Sequence, residues 1–423
     1  MIQSLVLVTQ NYLHFAGRQT LADIASRVRL SIVLEPEEVL NPHVAPYIAE
    51  VHRLKGRTER NLQPSFDAED LAALARREIA AAGGDPHAVR LFCQHEDNVL
   101  PTAQARAATG IPGDGPDLVS RFRDKILMKE ALADKFPDAL PKYRPLAVER
   151  AAADAQAYYA ELVAQLGTRK LVVKPTCGAG SLNVAIITGP QDLRAAAERI
   201  QTDERAFDYE VDEFLEGTMH QCDSFVRDGE VIFSGILELG CSNFDFVQGK
   251  PLSVYPVTDP GDYQRLFDFN QAVVTALGFR DGSVHHELFV RRDPDGVPVL
   301  KFVEIAARVP GGLGVPFHER NSGINLIDEN LRLALGAAER PGFRIRNDVV
   351  SALLPVGHGT VVALNEPKIS SEYSIAWRVA VGDVVDSRSL IDNAGILTLT
   401  NSDAAVLRRD FESLQQYVPV TCG

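Results

Sequence analysis

One stretch constrains this chain more than any other: VHHELFVRRDPDGVPVLKFVEIAARVPGG, residues 284–312. Two strand-like runs flank Asp295-Gly296, a dipeptide that favours a two-residue hairpin because both central turn positions need positive φ. Alternation puts His285, Glu287, Phe289 and Arg291 on one face of the first strand. On the second, Phe302, Glu304, Ala306 and Arg308 share a face. A turn at that dipeptide sets Glu287 opposite Glu304, with Cβ atoms ~5 Å apart. Like charges so placed in partly buried strands repel unless one is protonated or a cation lies between them. Oxygen ligands on a rigid hairpin suit Mg²⁺, which keeps several waters and takes further ligands from phosphates, so a metal-nucleotide resolves the repulsion. A solvated face, where like charges cost little, is the other reading, and a one-residue slip would separate the pair. His285 and His286 point to opposite faces and make a poor metal pair; packing or hydrogen bonding suits both.

The 423 residues, 45% hydrophobic and 24% charged, exceed what one core usually organises and contain no apolar run near the ~20 residues that cross a bilayer. A soluble protein of two or three domains is expected. The start, MIQSLVLVTQNYLHF, lacks a basic leader region and a cleavage site and reads as a first strand, which places the chain in the cytoplasm. The five cysteines are scattered without a CxxC, so neither a disulfide framework nor a structural zinc is signalled. A net charge of −14 argues against a nucleic-acid coat, so any anion site must be found residue by residue.

Strand-like runs at 4–9, 30–35 and 89–94, each with a plausible helix after it, suggest an open parallel α/β unit that ends near the Gly/Pro-rich TGIPGDGP. No GxGxxG follows the first strand, which counts against a dinucleotide site. From Asp117 an α+β texture takes over. Beyond about 336 come four strand-like runs and a helix with Ser402 or Asp403 as N-cap. The stretch 240–257, polar, aromatic and aperiodic, reads as a substrate-covering loop or as an ordered connector.

LVVKPTCGAGSLNVAI ends a strand at Lys174-Pro175 and continues into a loop with Gly178, Ala179, Gly180 and Ser181. Such a loop lets successive N–H groups approach anionic oxygens while the lysine supplies a point charge; a plain hairpin tip with a snorkelling lysine has the same pattern. Lys125 lies four residues before Lys129 on one helical face, which is also compatible with a solvated helix. YEVDEFLEG offers an extended connector at Glu213, Phe214 and Leu215 whose free backbone groups could imitate base pairing to adenine.

Taken in order, Lys125, the VVKP lysine with its glycine loop, the EFLEG connector, HHELF and EIAARVPGG resemble the ATP-grasp superfamily over roughly residues 89–335. The E-x-A-A-R strand followed by two glycines is most similar to carboxylate-amine ligases of the L-amino acid ligase type. The resemblance implies an α/β and α+β chain: a Rossmann-like N-terminal domain (1–116), a two-lobed ATP-grasp domain (117–335) and a small C-terminal α+β lobe (336–423). It implies that Lys125, Lys174 and the Gly178-Ala179-Gly180-Ser181 loop hold ATP phosphates, that Glu213, Phe214 and Leu215 hold adenine, and that Glu287 and Glu304 bind Mg²⁺, with Mn²⁺ as a substitute. Two departures stand out. Ala306 replaces an asparagine common in relatives, and Met219 replaces a glutamate that often contacts ribose, with His220 and Asp223 as polar neighbours.

The implied reaction is ATP-dependent amide formation between small-molecule carboxylate and amine substrates, amino acids or similar compounds, through an acyl phosphate, with release of ADP and phosphate. Arg308, on the metal face, and the N–H groups of Gly311 and Gly312 would stabilise the transferring phosphoryl group or the tetrahedral oxyanion; a surface ion pair is the alternative for Arg308. A bicarbonate-activating ligase and a non-catalytic ATP-binding regulator are the rival functions. No nucleic-acid or membrane partner is expected, and a homodimer rests on the resemblance alone.

Overall fold

The computed structural model describes residues 1–58, 63–205, 207–337, 340–387 and 389–423. Near the N-terminus, four parallel strands lie in the order Glu50–Arg53, Arg29–Leu34, Ser4–Val8, Val89–Phe92. Their near-continuous aliphatic runs follow from burial on both faces, as parallel sheets require. Leu5, Leu7, Leu30 and Ile32 pack on one side with Leu326, Ile327 and Leu331, whereas Val6, Val8 and Val33 pack on the other with Leu71, Leu74 and Ala75.

Helices Arg18–Arg27 and Val99–Thr109 follow the first and last of these strands, as expected. The helix expected between Arg29–Leu34 and Val89–Phe92 is Ala68–Ala81, which begins behind Asp67, whose side chain accepts from the Glu69 N–H. It is preceded by a 3₁₀ turn (Ala45–Tyr47) and the short strand Glu50–Arg53, where Pro36, Pro42 and Pro46 interrupt the segment before an α-helix can close its hydrogen bonds.

A second sheet, antiparallel, has the order Tyr143–Pro145, Tyr209–Glu213, Leu171–Pro175, Ala185–Ile187 and packs on helices Ala155–Leu166 and Pro190–Thr202. The third has eight antiparallel strands: Pro298–Ala306, Gly282–Arg292, Thr218–Arg227, Glu230–Leu239, Leu252–Pro256, Val349–Pro355, Asn393–Thr400 and Glu372–Trp377. Strands from beyond residue 336 thus extend the sheet that carries the paired glutamates. The aperiodic stretch 240–257 is largely an ordered connector: a capping box at Ser242 and Asp245 starts helix Asn243–Val247, and Leu252–Pro256 is a buried strand of this sheet. Full burial on both faces removes the alternation by which a strand is read. Helix Ala404–Ser413 is capped by Asp403.

The hairpin differs from expectation in two compensating ways. Asp293 and Val297 close the turn through Asp293 N–H to Val297 O at 3.0 Å, with Gly296 at φ 81°, so three residues rather than two connect the strands. Arg292 therefore faces Pro298, one residue out of the expected register. The register then shifts between Glu287 and Leu288, leaving Val303 as an extra residue, and Glu287 faces Glu304 as expected. The bulge also turns Phe302 away from the glutamate face: it shares the core with Ile305, its ring 5.4 Å from that of His286.

Candidate active site

A cavity of about 870 Å³ lies where the second and third sheets face each other, closed at one end by loops at the C-terminal ends of the parallel strands. All the residues singled out from the sequence line it: Lys125, Lys174, Gly178, Ala179, Gly180, Ser181, Glu213, Phe214, Leu215, Glu287, Glu304, Arg308, Gly311 and Gly312.

On the third sheet, Glu287 and Glu304 are cross-strand partners. Lys125 Nζ is 2.9 Å from Glu304 Oε2 and donates to the Gly178 carbonyl at 2.8 Å, so one ammonium bridges the glycine loop and the glutamate. Burial works to raise the Glu304 carboxyl, but the charges of Lys125 and Lys174 prevail and hold it below the usual range. Glu287 Oε1 accepts from Asn243 Nδ2 at 2.9 Å and lies 3.2 Å from His285 Nε2. Glu304 Oε1 and Glu287 Oε2 have no hydrogen bond among the described residues, and both side chains face the cavity. Two open carboxyl oxygens on facing strands fit a hard divalent cation such as Mg²⁺.

Behind Glu287 lies a buried chain of polar groups. His285 Nδ1 is 2.6 Å from Asp223 Oδ1, and His318 Nε2 is 2.6 Å from Asp223 Oδ2. Burial opposes protonation of His285, but Asp223 and Glu287 outweigh it and push its pKa up to about 10. An imidazolium that orients Glu287 is the result. His286, on the opposite face, pairs with Asn270 Oδ1 at 2.9 Å. The two histidines thus have the hydrogen-bonding roles expected for them.

Lys174 is anchored by carboxylates. Its Nζ lies 2.8 Å from Asp212 Oδ2 and 3.5 Å from Glu210 Oε1, while Lys129 Nζ lies 2.7 Å from Asp212 Oδ1 and 2.8 Å from Glu210 Oε2. Lys129 is fully buried, so the solvated-helix reading fails for it; burial lowers its pKa, whereas Asp212 and Glu210 hold Lys174 charged against burial. Sequence reasoning missed this quartet. The signal was there in YEVDE, whose alternating acids Glu210 and Asp212 share a face of the strand that pairs with Lys174.

The glycine loop visits the left-handed region at Gly180 (φ 63°), Ser181 (φ 58°) and Asn183 (φ 56°), a conformation that can turn successive N–H groups toward one anion. In the connector, Phe214 N–H is already committed to the Lys170 carbonyl at 3.0 Å and the Lys170 ammonium sits 3.5 Å above the Phe214 ring. Glu213 Oε1 accepts from Lys142 N–H at 3.2 Å. Of the Phe214 backbone, the carbonyl is thus the group left for a base. Met219 is buried with Leu237, Leu239 and Phe317, an apolar wall where a ribose-binding acid was absent. His220 Nδ1 is spent on Thr218 O at 3.0 Å.

Arg308 is paired not with a surface acid but with Glu96, which bridges Arg308 and Arg123. Burial raises the Glu96 carboxyl; Arg308 and Arg123 overcome that and keep it well below the carboxylate range. Arg123 also donates to Asp97 Oδ1 at 3.0 Å and to the Cys177 carbonyl at 2.9 Å, linking the loop after Val89–Phe92 to the glycine loop. Tyr12, held at φ 66°, brings its hydroxyl to within 3.6 Å of where a side chain on Gly311 would begin. Gly312 itself is at φ 56°. Glu96 and Tyr12 escaped the sequence reading, although both follow parallel strands at their carboxyl ends, where open α/β sheets place ligands.

This arrangement is an α/β cleft with a cationic end and a pair of facing carboxylates. Residues 168–316 match the family model for the ATP-grasp domain. The fold is that of an ATP-grasp protein. An L-amino acid ligase from Bacillus licheniformis superposes with a TM-score of 0.70 at 16% identity, covering 100% of this chain and 99% of that one. An N5-carboxyaminoimidazole synthetase from Staphylococcus aureus, complexed with ADP, gives 0.65 at 12% identity, over 97% and 96% of the two chains. The biotin carboxylase domain of a Hydrogenobacter thermophilus 2-oxoglutarate carboxylase, a dimer with MgADP, ADP and bicarbonate, gives 0.59 at 14% identity, over 100% and 91%. No curated protein sequence matches the chain.

Proposed function

We propose that this protein is an ATP-dependent, ADP-forming carboxylate-amine ligase that joins amino acids or compounds like them through an acyl phosphate. The observation that carries this reading is the facing pair Glu287 and Glu304, set across one cavity from Lys125, Lys174 and the glycine loop, with Arg308 at its edge. The full-length likeness to an L-amino acid ligase supports the amide-forming branch of the superfamily. No helix among the described residues is long and apolar enough to cross a membrane, consistent with a cytoplasmic enzyme acting on small molecules. The dimer named for the biotin carboxylase domain makes a homodimer the assembly to test.

In the reaction, a substrate carboxylate oxygen attacks the γ-phosphorus of ATP and the bond to the β–γ bridging oxygen breaks, giving an acyl phosphate and ADP. An amine nitrogen then attacks the acyl carbon, loses a proton and expels phosphate. Positioning and charge neutralisation carry most of such chemistry, so no protein nucleophile is required. Lys125 and Lys174 neutralise phosphate oxygens, and the 178–181 loop donates backbone N–H groups to them. Mg²⁺ held by Glu287 and Glu304, or Mn²⁺ in its place, would supply charge that draws the phosphate oxygens together. Arg308 faces the acyl phosphate. The N–H groups of Gly311 and Gly312 make no hydrogen bond among the described residues and complete an oxyanion hole. Domain limits at 116 and 335 keep Arg308 and both glutamates in the nucleotide-binding unit.

The test is incubation with Mg-ATP and pooled amino acids, with phosphate release and new product masses read together. Phosphate release with condensation masses supports the ligase; ATP consumption that requires bicarbonate and no amine points to a carboxylase; tight ATP binding without consumption points to a regulator.

A further inference from the structure

Tyr12 stands in the cavity with its hydroxyl uncommitted. That hydroxyl lies 3.6 Å from where a Cβ on Gly311 would begin, and the side chain lines the same cavity as Arg308, Gly311 and Gly312. Among the described residues it makes no side-chain hydrogen bond. A tyrosine in an enclosed place ordinarily finds a partner for its O–H, so this one is left for whatever the cavity holds. The backbone is bent to put it there. Thr9 (φ 73°) and Tyr12 (φ 66°) both occupy the left-handed region, which β-branched and bulky side chains resist. Such strain persists where the surroundings over-determine it, and it gathers at functional sites. Here Asn11 Nδ2 donates to Gln63 Oε1 at 2.9 Å, the Leu13 N–H to the Gln10 carbonyl at 3.1 Å, and Asn325 Nδ2 to the Phe15 carbonyl at 2.7 Å. The turn is thus pinned on both sides of Tyr12, and none of these bonds uses the phenol.

Arg308 is already partly spent. Its Nε is engaged by Glu96 and its Nη1 donates to the Val309 carbonyl at 2.8 Å, which leaves Nη2 as the guanidinium nitrogen without a hydrogen bond among the described residues. A second side-chain donor beside Gly311 is therefore not redundant. Burial raises the Tyr12 pKa, and the charge of Arg308, acting the other way, does not undo it, so the phenol keeps its proton and donates.

We propose that Tyr12 is a further catalytic residue, whose hydroxyl donates a hydrogen bond to the anionic oxygens of the transferring phosphoryl group and of the acyl phosphate beside Gly311. The loop after the first parallel strand thereby contributes a donor to a site otherwise built largely by the second and third sheets. Donors fixed in advance where charge develops cost no reorganisation during the reaction, and the strained, pinned turn is what fixes this one. Tyr12 keeps its proton throughout, so no bond to it forms or breaks. The amide-forming part of this role rests on the ligase reading above.

Tyr12→Phe removes the hydroxyl and leaves the ring and backbone in place. Wild type and variant are compared in calorimetric affinity for MgADP with and without aluminium fluoride, which mimics a phosphoryl group in flight, and in kcat and KM for amide formation. The wild type is expected to bind MgADP about 10-fold or more tightly with aluminium fluoride than without. In Tyr12→Phe that gain should shrink to about 2-fold or less and kcat should fall by about 10- to 100-fold, as for loss of one hydrogen bond to a charged group. Tm should be unchanged, and affinity for MgADP alone and KM for ATP should stay within about 2-fold, which a merely structural part would not allow. An equal gain in both proteins, no gain in either, an unchanged kcat, or a loss of MgADP affinity as large as the loss of gain overturns the role. A gain that Tyr12→Phe loses, in a wild type that forms no amide, would instead sink the ligase reading and leave Tyr12 as a donor to the phosphoryl group.

Discussion

In the proposed reaction Arg308 is the residue on which phosphoryl transfer and amide formation converge, and its partner Glu96 lies on the loop after the strand Val89–Phe92. Arg308→Ala is expected to lower kcat for amide formation by about 100- to 1000-fold, the range found when an oxyanion donor is removed. Nucleotide affinity should change little; a parallel collapse in ATP binding, read by calorimetry, would assign Arg308 a structural part instead. Lys129 makes the opposite case. It is wholly buried between Glu210 and Asp212, and Lys129→Met would strip one cation from two buried acids. Breaking a buried ion pair in this way costs about 3–5 kcal/mol, measurable by urea unfolding; a loss below about 1 kcal/mol would show that Lys174 alone satisfies both acids. Arg308 was legible as a cavity residue because it follows the strand Pro298–Ala306 and precedes two glycines. The role of Lys129 was not, since its acids lie more than eighty positions away and proximity of that kind is a tertiary fact.

At the scale of elements, the hairpin shows how a local reading can reach the right pair by a wrong turn. Asp295-Gly296 marks a turn, but Asp293 Oδ1, accepting from the N–H groups of Asp295 and Val297, draws a longer connection around it. The Val303 bulge then restores the alignment of the glutamates. Neither feature has a signature in a single sequence, because bulges depend on the partner strand. The helix Ala68–Ala81 was legible in its apolar spacing and closing glycines, whereas the strand Leu252–Pro256, buried throughout, shows no alternation to read. The glycine pair is the element most exposed to test. Gly312 lies in the left-handed region and an added Cβ would approach Leu353 Cδ1 to 3.3 Å. Gly312→Ala is expected to lower stability by about 1 kcal/mol and to slow amide formation more than it weakens nucleotide binding. A variant with wild-type Tm and turnover would show that this conformation is not required.

For the molecule as a whole, the fold class followed from alternation and motif order, and the C-terminal strands that join the eight-stranded sheet did not, because no local pattern says which edge a late strand will extend. One consequence of the assembled molecule is its response to acid. Glu78 is 3.2 Å from His52 Nε2 and accepts from Ser4 Oγ at 2.7 Å and from Arg29; His52 first, against the effect of burial, and then Ser4 and Arg29 push its pKa down to about 2. A carboxyl whose pKa is lower folded than unfolded stabilises the protein above its unfolded value, and that stability is lost as pH falls from about 4.5 through about 2. Glu96 and Asp223 are shifted in the same direction. Stability should therefore drop below about pH 4.5, and Glu78→Gln should flatten part of that drop in denaturation curves taken across this range. A slope identical to wild type would remove Glu78 from the account.

The central claim is that Glu287 and Glu304 jointly hold a divalent ion against a nucleotide, and calorimetric titration with a non-hydrolysable ATP analogue, with and without Mg²⁺, tests it most directly. The account predicts that Mg²⁺ tightens nucleotide binding to the wild type by about 10-fold or more, and that Glu304→Gln loses this gain while retaining a folded-state Tm. Equal Mg²⁺ dependence in wild type and Glu304→Gln would contradict it.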